Sequence, residues 1–354
     1  MQEPVEELRE KGTLDDRQLR RLLEDEPAGW TADLYAAARQ TAIARFGRRV
    51  WLRALIEWSN VCRNDCLYCG IRRSNARLSR YTLTQKQILQ CCEQAYGLGL
   101  RTFVLQGGEN PPAAKTLAET IVEIRAAWPD CAITLSLGEL PYETYALLRQ
   151  NGADRYLLRH ETANPAHYAR LHPASMTLES RLSCLRTLRK LGYQTGMGMM
   201  VGSPFQTTDD LIADIRLIES FCPEMIGIGP FIPQHDTPLG CFPAGSADRT
   251  LRLLAILRLM HPEALIPSTT ALSTLHPEGR MAGILAGANV IMPDFTPREQ
   301  REAYALYEGK TAAWTETAGN LQELRQELAA HGYAICQSRG DYQESITSKI
   351  YRHV

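Results

Sequence analysis

Two periodicities divide the chain. Before about residue 48 the apolar positions recur at helical spacing: Leu14, Leu19, Leu22 and Leu23 share one stripe, and an Ala-rich run from Thr31 to Phe46 predicts a second helix. These helices read as an N-terminal packing extension, residues 1–48. From Trp51 the pattern changes to short apolar runs alternating with amphipathic segments, as in parallel strands joined by helical crossovers. The predicted strands are WLRALIEW from Trp51, RTFVLQ from Arg101, CAITLSL from Cys131, DRYLLRH from Asp154, QTGMGMMVG from Gln194, EMIGIG from Glu224, ALIPSTT from Ala264 and ANVIMP from Ala288. Helical periodicity shows between them, as at Ile88, Leu89, Cys92 and Ala95. About eight βα units in roughly 250 residues is the size of a TIM-type (β/α)8 barrel. The predicted fold is therefore α/β, with the barrel over residues 49–300. An open doubly wound sheet is the rival, because periodicity does not show closure. After Pro297 the strand rhythm stops and polar helix resumes, which predicts a cap over residues 301–354 with Tyr304 and Tyr307 near its start.

Composition narrows the function classes. The 354 residues are 44% hydrophobic and 22% charged, enough apolar material for one large core. The net charge is −1 and there is no basic block, so the electrostatic footprint of a nucleic-acid partner is missing. The first residues are dense in both signs of charge and contain no apolar core of a secretory signal. No run approaches the roughly 18 apolar residues of a membrane span. The expectation is a cytoplasmic protein without a membrane partner. Ten cysteines in such a chain argue for metal ligation or plain burial rather than a disulfide scaffold. Cys91 and Cys92, adjacent on a predicted helix, read as packing residues.

Three cysteines are clustered. CRNDCLYCG puts Cys62, Cys66 and Cys69 at C-x3-C-x2-C spacing on a loop directly after the first strand. Three thiolates there can hold three corners of an iron-sulfur cubane and leave one iron open to a small molecule. A zinc knuckle is the alternative, but it wants four ligands, and neither Cys nor His follows within a few residues. Other polar residues fall at strand C-terminal ends, where barrel enzymes keep their chemistry. Gln106, Gly107, Gly108 and Glu109 end the second strand, and paired glycines let backbone approach a ligand closely, although alone such a pair is more often a turn. Arg159 and Glu161 end the fourth strand and point into the barrel if Leu158 faces the helices, either as a structural ion pair or as ligand groups. Thr269, Thr270 and Met292 end the seventh and eighth strands, and small hydroxyls there can donate to a buried anion.

The cysteine spacing, with Tyr68 just before the last thiol, resembles the signature of the radical S-adenosylmethionine superfamily. The wider set LQGGE, TLSLGE, ADRYLLRHETANP, GIGPFIP, PSTTAL and GANVIMP, running in order over about residues 50–310, resembles the branch of that superfamily that matures [FeFe]-hydrogenase. Biotin synthases and methylornithine synthases are near relatives of that branch. The resemblance implies a [4Fe-4S] cluster on Cys62, Cys66 and Cys69, with S-adenosylmethionine as cosubstrate on its open iron. It implies that one-electron reduction releases methionine and a 5′-deoxyadenosyl radical. It assigns Tyr68, Gln106, Gly107, Gly108, Glu109, Ser136, Glu161 and Arg181 to the cosubstrate. Thr134, Arg159, Thr269, Thr270, Met292, Tyr304 and Tyr307 fall to a small organometallic or amino-acid-like substrate. An iron-cysteine complex bearing carbon monoxide and cyanide is the substrate implied, with other maturation proteins and an electron donor as partners. One departure stands out: some members carry a second cluster on three further cysteines near the C-terminus, whereas here only Cys336 follows Cys241.

Overall fold

The computed structural model describes residues 3–24, 28–310 and 318–343. The first predicted strand is apolar on both parities because both its faces are buried, and it divides at Arg53 into β1 (Arg49–Leu52) and β2 (Ala54–Ser59). The strands that follow are β3 (Thr102–Gly107), β4 (Ala132–Ser136), β5 (Arg155–Leu157), β6 (Gln194–Met197), β7 (Met200–Val201), β8 (Met225–Ile226), β9 (Gly229–Pro230), β10 (Val290–Ile291) and β11 (Ala334–Cys336). Every strand-to-strand pairing is parallel, in the orders β2-β3-β4-β5-β6-β8, β10-β1-β11 and β7-β9. Single parallel bridges close the ring: Met225 to Leu265, Pro267 to Val290 and Leu55 to Asp294. The segment around Leu265 to Pro267 is thus the seventh stave, and the sheet is a closed barrel of eight positions rather than an open doubly wound sheet.

Alternation sorts the side chains. Ile56, Phe103, Leu105, Ile133, Leu135, Tyr156 and Leu158 pack outward in the main helix-facing core. Residues of opposite parity, including Glu57, Thr134, Arg155 and Arg159, therefore face the interior. The condition set on Leu158 is met, and Arg159 and Glu161 point inward.

Helix Ala247–Met260 is buried at every position from Thr250 to Met260. It is covered all round because the N-terminal helices Glu3–Lys11, Asp16–Glu24 and Ala28–Phe46 pack on the side that the barrel does not, and its buried Arg258 donates to the Gly287 carbonyl at 2.7 Å.

The reading that strand rhythm ends at Pro297 needs a correction. After helix Ala318–Ala330 the chain returns as β11, in register with β1 through Arg49 with Ala334, Val50 with Ile335 and Trp51 with Cys336. Three residues, the first of them exposed, are too few to show alternation in the sequence. The following residues run beneath the N-terminal ends of the barrel strands. There Trp51 Nε1 donates to Ser338 Oγ (2.9 Å), Thr102 Oγ1 to the Arg339 carbonyl (2.9 Å) and Arg155 Nη2 to Asp341 Oδ1 (2.6 Å). Among the described residues no helix is long and apolar enough to cross a membrane.

Candidate active site

The three-cysteine loop leaves β2 at the C-terminal rim, and polar side chains hold its path. Buried Asn60 donates to the carbonyls of Ser79 and Ala303, both at 2.8 Å, and accepts from the Tyr81 amide at 2.8 Å. Arg80 donates to the carbonyls of Asn60 (2.6 Å), Ile71 (2.8 Å) and Arg72 (2.5 Å). Two glycines permit close backbone approach. A Cβ on Gly70 would lie 1.9 Å from the Ala305 carbonyl oxygen, and one on Gly108 would lie 2.5 Å from that of Val61 and 2.8 Å from Cys62 Cβ. With that room, the Glu109 amide reaches Cys62 Sγ at 3.3 Å.

Cys62, Cys66 and Cys69 are free and half-buried. Burial raises all three thiols, that of Cys69 to about 12, and Cys62 adds to the rise at both Cys66 and Cys69. Such a donor set lacks the positive charge that would make thiolates favourable there, and bound metal supplies it. Among the described residues no three Cys, His, Asp or Glu side chains are grouped to hold a single metal ion. A cubane makes no such demand, because each thiolate ligates a different iron. Three clustered thiols that each ligate a different iron fit a [4Fe-4S] cluster, whereas a zinc knuckle wants a fourth ligand beside them.

Behind the loop, the Tyr68 hydroxyl lies 3.3 Å from His172 Nε2 with the two rings edge-on, and His172 stacks on Tyr168 at 3.9 Å. Burial pushes His172 down to about 4, so the ring is neutral near pH 7. With Nδ1–H donated to the Tyr168 carbonyl at 3.0 Å, Nε2 is left to accept from Tyr68. His172 was not anticipated from the sequence, where a lone histidine after a helix carries no signal.

The residues assigned to the cosubstrate are drawn together at this rim, and its charged members have protein partners. Arg181, buried in the first turn of helix Leu178–Lys190, lies 2.9 Å from Glu139. Glu109 pairs with Arg63 at 2.8 Å and accepts from the Glu139 amide at 2.7 Å. The registers of β2, β3 and β4 set Glu57, Gln106 and Ser136 in one row. Buried Tyr304 reaches that row through a hydrogen bond to Gln106.

Arg159 and Glu161 form an ion pair at 2.8 Å. Glu161 has φ +67°, a conformation that costs a non-glycine residue on the order of 1–3 kcal/mol and collects at functional sites. Among the described residues, Arg159 Nε, Thr134 Oγ1 and Thr269 Oγ1 are buried without a hydrogen-bond partner. Leaving such a donor unpaired costs about 1–3 kcal/mol each, so three of them, one on β4, one just past β5 and one capping helix Thr270–Leu275, mark where an acceptor-rich ligand belongs. Thr270 and Met292 lie to one side, lining a cavity of about 40 Å³ with Asp294, Arg301 and Lys310. Tyr307 bonds Thr274.

Sequence reasoning also missed the charges of that cavity. Lys310 Nζ lies 2.7 Å from Glu57 Oε1, 3.9 Å from Asp294 and 5.1 Å from the Tyr304 ring centre. Burial, reinforced by Asp294, pushes the Glu57 carboxyl up to about 8 against the pull of Lys310. The available signal was a lone glutamate at inward parity in WLRALIEW.

Residues 56–218 match the model of the radical SAM superfamily. The [FeFe] hydrogenase maturase subunit HydE of Thermotoga maritima is 46% identical over 80% of this chain and 80% of its own length. A 3-methylornithine synthase of Methanosarcina barkeri is 30% identical over 83% of each chain. The crystal structure of methylornithine synthase superposes with a TM-score of 0.80 at 25% identity, covering 94% of this chain and 97% of that one.

Proposed function

The chain belongs to the radical S-adenosylmethionine superfamily and, within it, to the HydE maturases of [FeFe]-hydrogenase, and from that membership we propose what its site residues do. Cys62, Cys66 and Cys69 hold the [4Fe-4S] cluster of this radical enzyme. Together with S-adenosylmethionine, the cluster supplies one-electron cleavage of the sulfonium to methionine and a 5′-deoxyadenosyl radical. The protein's task is to place and shield that chemistry. Gly107 and Gly108 bring backbone against the cosubstrate methionine, Arg181 takes its carboxylate with Glu139 holding the guanidinium, and Glu161 takes the ribose hydroxyls. Tyr68, fixed by neutral His172, walls the loop from below. Gln106, Glu109 and Ser136 complete that wall.

The substrate is an iron-cysteine complex carrying carbon monoxide and cyanide, bound in the barrel interior, with its cysteine sulfur as the point of radical attack. The product is a precursor of the diiron subcluster of the hydrogenase cofactor. One observation carries this reading: the unpaired donors Arg159 Nε, Thr134 Oγ1 and Thr269 Oγ1 suit an anion rich in acceptors. Thr270 and Met292 to one side, with Tyr304 and Tyr307, complete the interior lining and keep water from the radical. A small amino acid such as lysine could answer them only with its carboxylate, and its two ammonium groups would meet Arg159 as like charges.

The test is anaerobic reconstitution with iron, sulfide and dithionite, followed by measurement of 5′-deoxyadenosine with S-adenosylmethionine and either the iron-cysteine complex or lysine. Stimulation by the iron complex and not by lysine is expected. Stimulation by lysine alone would move the enzyme to the methylornithine branch of its superfamily.

A further inference from the structure

Residues 62–80, the cluster loop and its continuation, hold five arginines and a single acid, Asp65, in a chain whose net charge is −1. Arg72 is paired with Asp65, and Arg80 turns inward to backbone carbonyls. Arg63, Arg73 and Arg77 remain outside, Arg77 with 79% of its side chain exposed.

An aromatic pair adjoins them. Phe205 is one of three exposed large hydrophobic residues among those described, at 42%, and it has φ +71°. That left-handed conformation is an outlier for a bulky side chain. The Arg170 guanidinium lies 3.3 Å over its ring, and Phe242 meets it edge-on at 5.1 Å. Phe242 in turn packs with Leu67 and Tyr68 of the cluster loop against Leu171, Met200, Phe231 and Leu239. Backbone hydrogen bonds join the pieces: Leu67 N to the Leu171 carbonyl at 2.9 Å and Leu239 N to the Leu67 carbonyl at 3.1 Å. The acids bordering this face are already paired, Asp236 with Arg77 at 2.6 Å and Glu308 with His235 at 2.7 Å.

We infer that this face, Arg73, Arg77 and Arg170 around Phe205 and Phe242, is the docking surface for an acidic one-electron donor protein that reduces the cluster. The inference rests on the activity proposed above, which consumes one electron in each reductive cleavage. The step moves that electron alone: the donor is oxidised by one, the cluster is reduced by one, and no bond or proton changes place. Electron-transfer encounters use small interfaces and rely on complementary charge to steer them. A rim of arginines around an apolar centre has that form, and it is continuous with the loop that carries the cluster ligands.

The experiment measures the Kd of an oxidised acidic flavodoxin, as probe, for the reconstituted holoenzyme at low and high ionic strength. Arg73→Glu with Arg77→Glu should weaken binding by about tenfold or more at low salt and flatten its salt dependence. Phe205→Ser should weaken it at low and high salt alike. Cleavage of S-adenosylmethionine driven by dithionite, which needs no docking, should persist in all these variants. If the double reversal fails to fold, Arg73→Gln with Arg77→Gln takes its place, with a smaller loss of the same kind. A Kd unchanged by the double variant, or an equal loss in Arg325→Glu on the helix leading into β11, would overturn the assignment. Absence of dithionite-driven cleavage in the wild-type protein would sink the proposed activity instead, and the Kd series would still decide the docking surface.

Discussion

Glu57 and His172 are both buried titratable groups, and burial drives each toward its neutral form, Glu57 up to about 8 and His172 down to about 4. For an acid whose folded pKa is raised, the native state binds more protons than the unfolded chain between the ordinary value of 4.5 and about 8. Stability from Glu57 is therefore lost as pH rises through that window, by at most about 1.4 kcal/mol per pH unit. Glu57→Gln keeps the shape without the titration, so its melting temperature should fall less than that of wild type between pH 5 and pH 8; parallel curves would show that Lys310 holds the carboxylate ionised. Arg159 makes a different prediction. Arg159→Ala should cost about 2 kcal/mol or more in kcat/KM for the iron complex and leave the Kd of S-adenosylmethionine nearly unchanged. Equal losses in both would reduce Arg159 to a structural partner of Glu161. The two residues differ in how the sequence reveals them. Arg159 could be placed by strand parity within DRYLLRH, whereas the Glu57–Lys310 contact joins positions 253 apart and leaves no local pattern.

Elements were readable wherever burial imposes a period. The eight staves follow from apolar runs because each must present one face to the helices, and helix Ala247–Met260 is rich in leucine on several faces because it is covered on both sides. β11 escaped because its place is set by partners far away in sequence rather than by its own alternation. The tail that follows it carries a testable energy. Arg155 is fully buried and meets Asp341 at 2.6 Å, while Asp341 keeps about a third of its side chain in solvent. Removing one partner of a buried pair costs about 3–5 kcal/mol, and the partial exposure of Asp341 lowers that toward about 2 kcal/mol. Urea unfolding of Asp341→Asn should show a loss of that size, with dithionite-driven cleavage retained at temperatures where the protein stays folded. Loss of cleavage at full stability would mean that the tail shapes the distant rim as well as the base of the barrel.

At the scale of the whole molecule, the barrel separates chemistry from stability: the three-cysteine loop lies at the C-terminal rim, and β11 with its tail closes the opposite end. That separation decides what the remaining cysteines can do. Cys336 lies on β11, packed with Trp51 and 3.3 Å from Ser338, whereas Cys241 is exposed on the loop beside Leu239 at the other end. Cys91, Cys92 and Cys131 are buried. No other trio shares a loop, and the stretches 311–317 and 344–354 contain no cysteine. The chain should therefore carry one cubane, and fully reconstituted protein should bind about four irons and four sulfides. Changing Cys62, Cys66 and Cys69 together to Ala should remove all of that iron, and Cys336→Ser should remove none and leave 5′-deoxyadenosine formation unchanged. Tightly held iron in the triple variant, after adventitious metal is stripped, would require a second centre. Exposed Cys241 and Cys336 on β11 lie at opposite ends of the barrel, so a second centre built on these two would have to be shared between chains and would vanish on dilution to monomer.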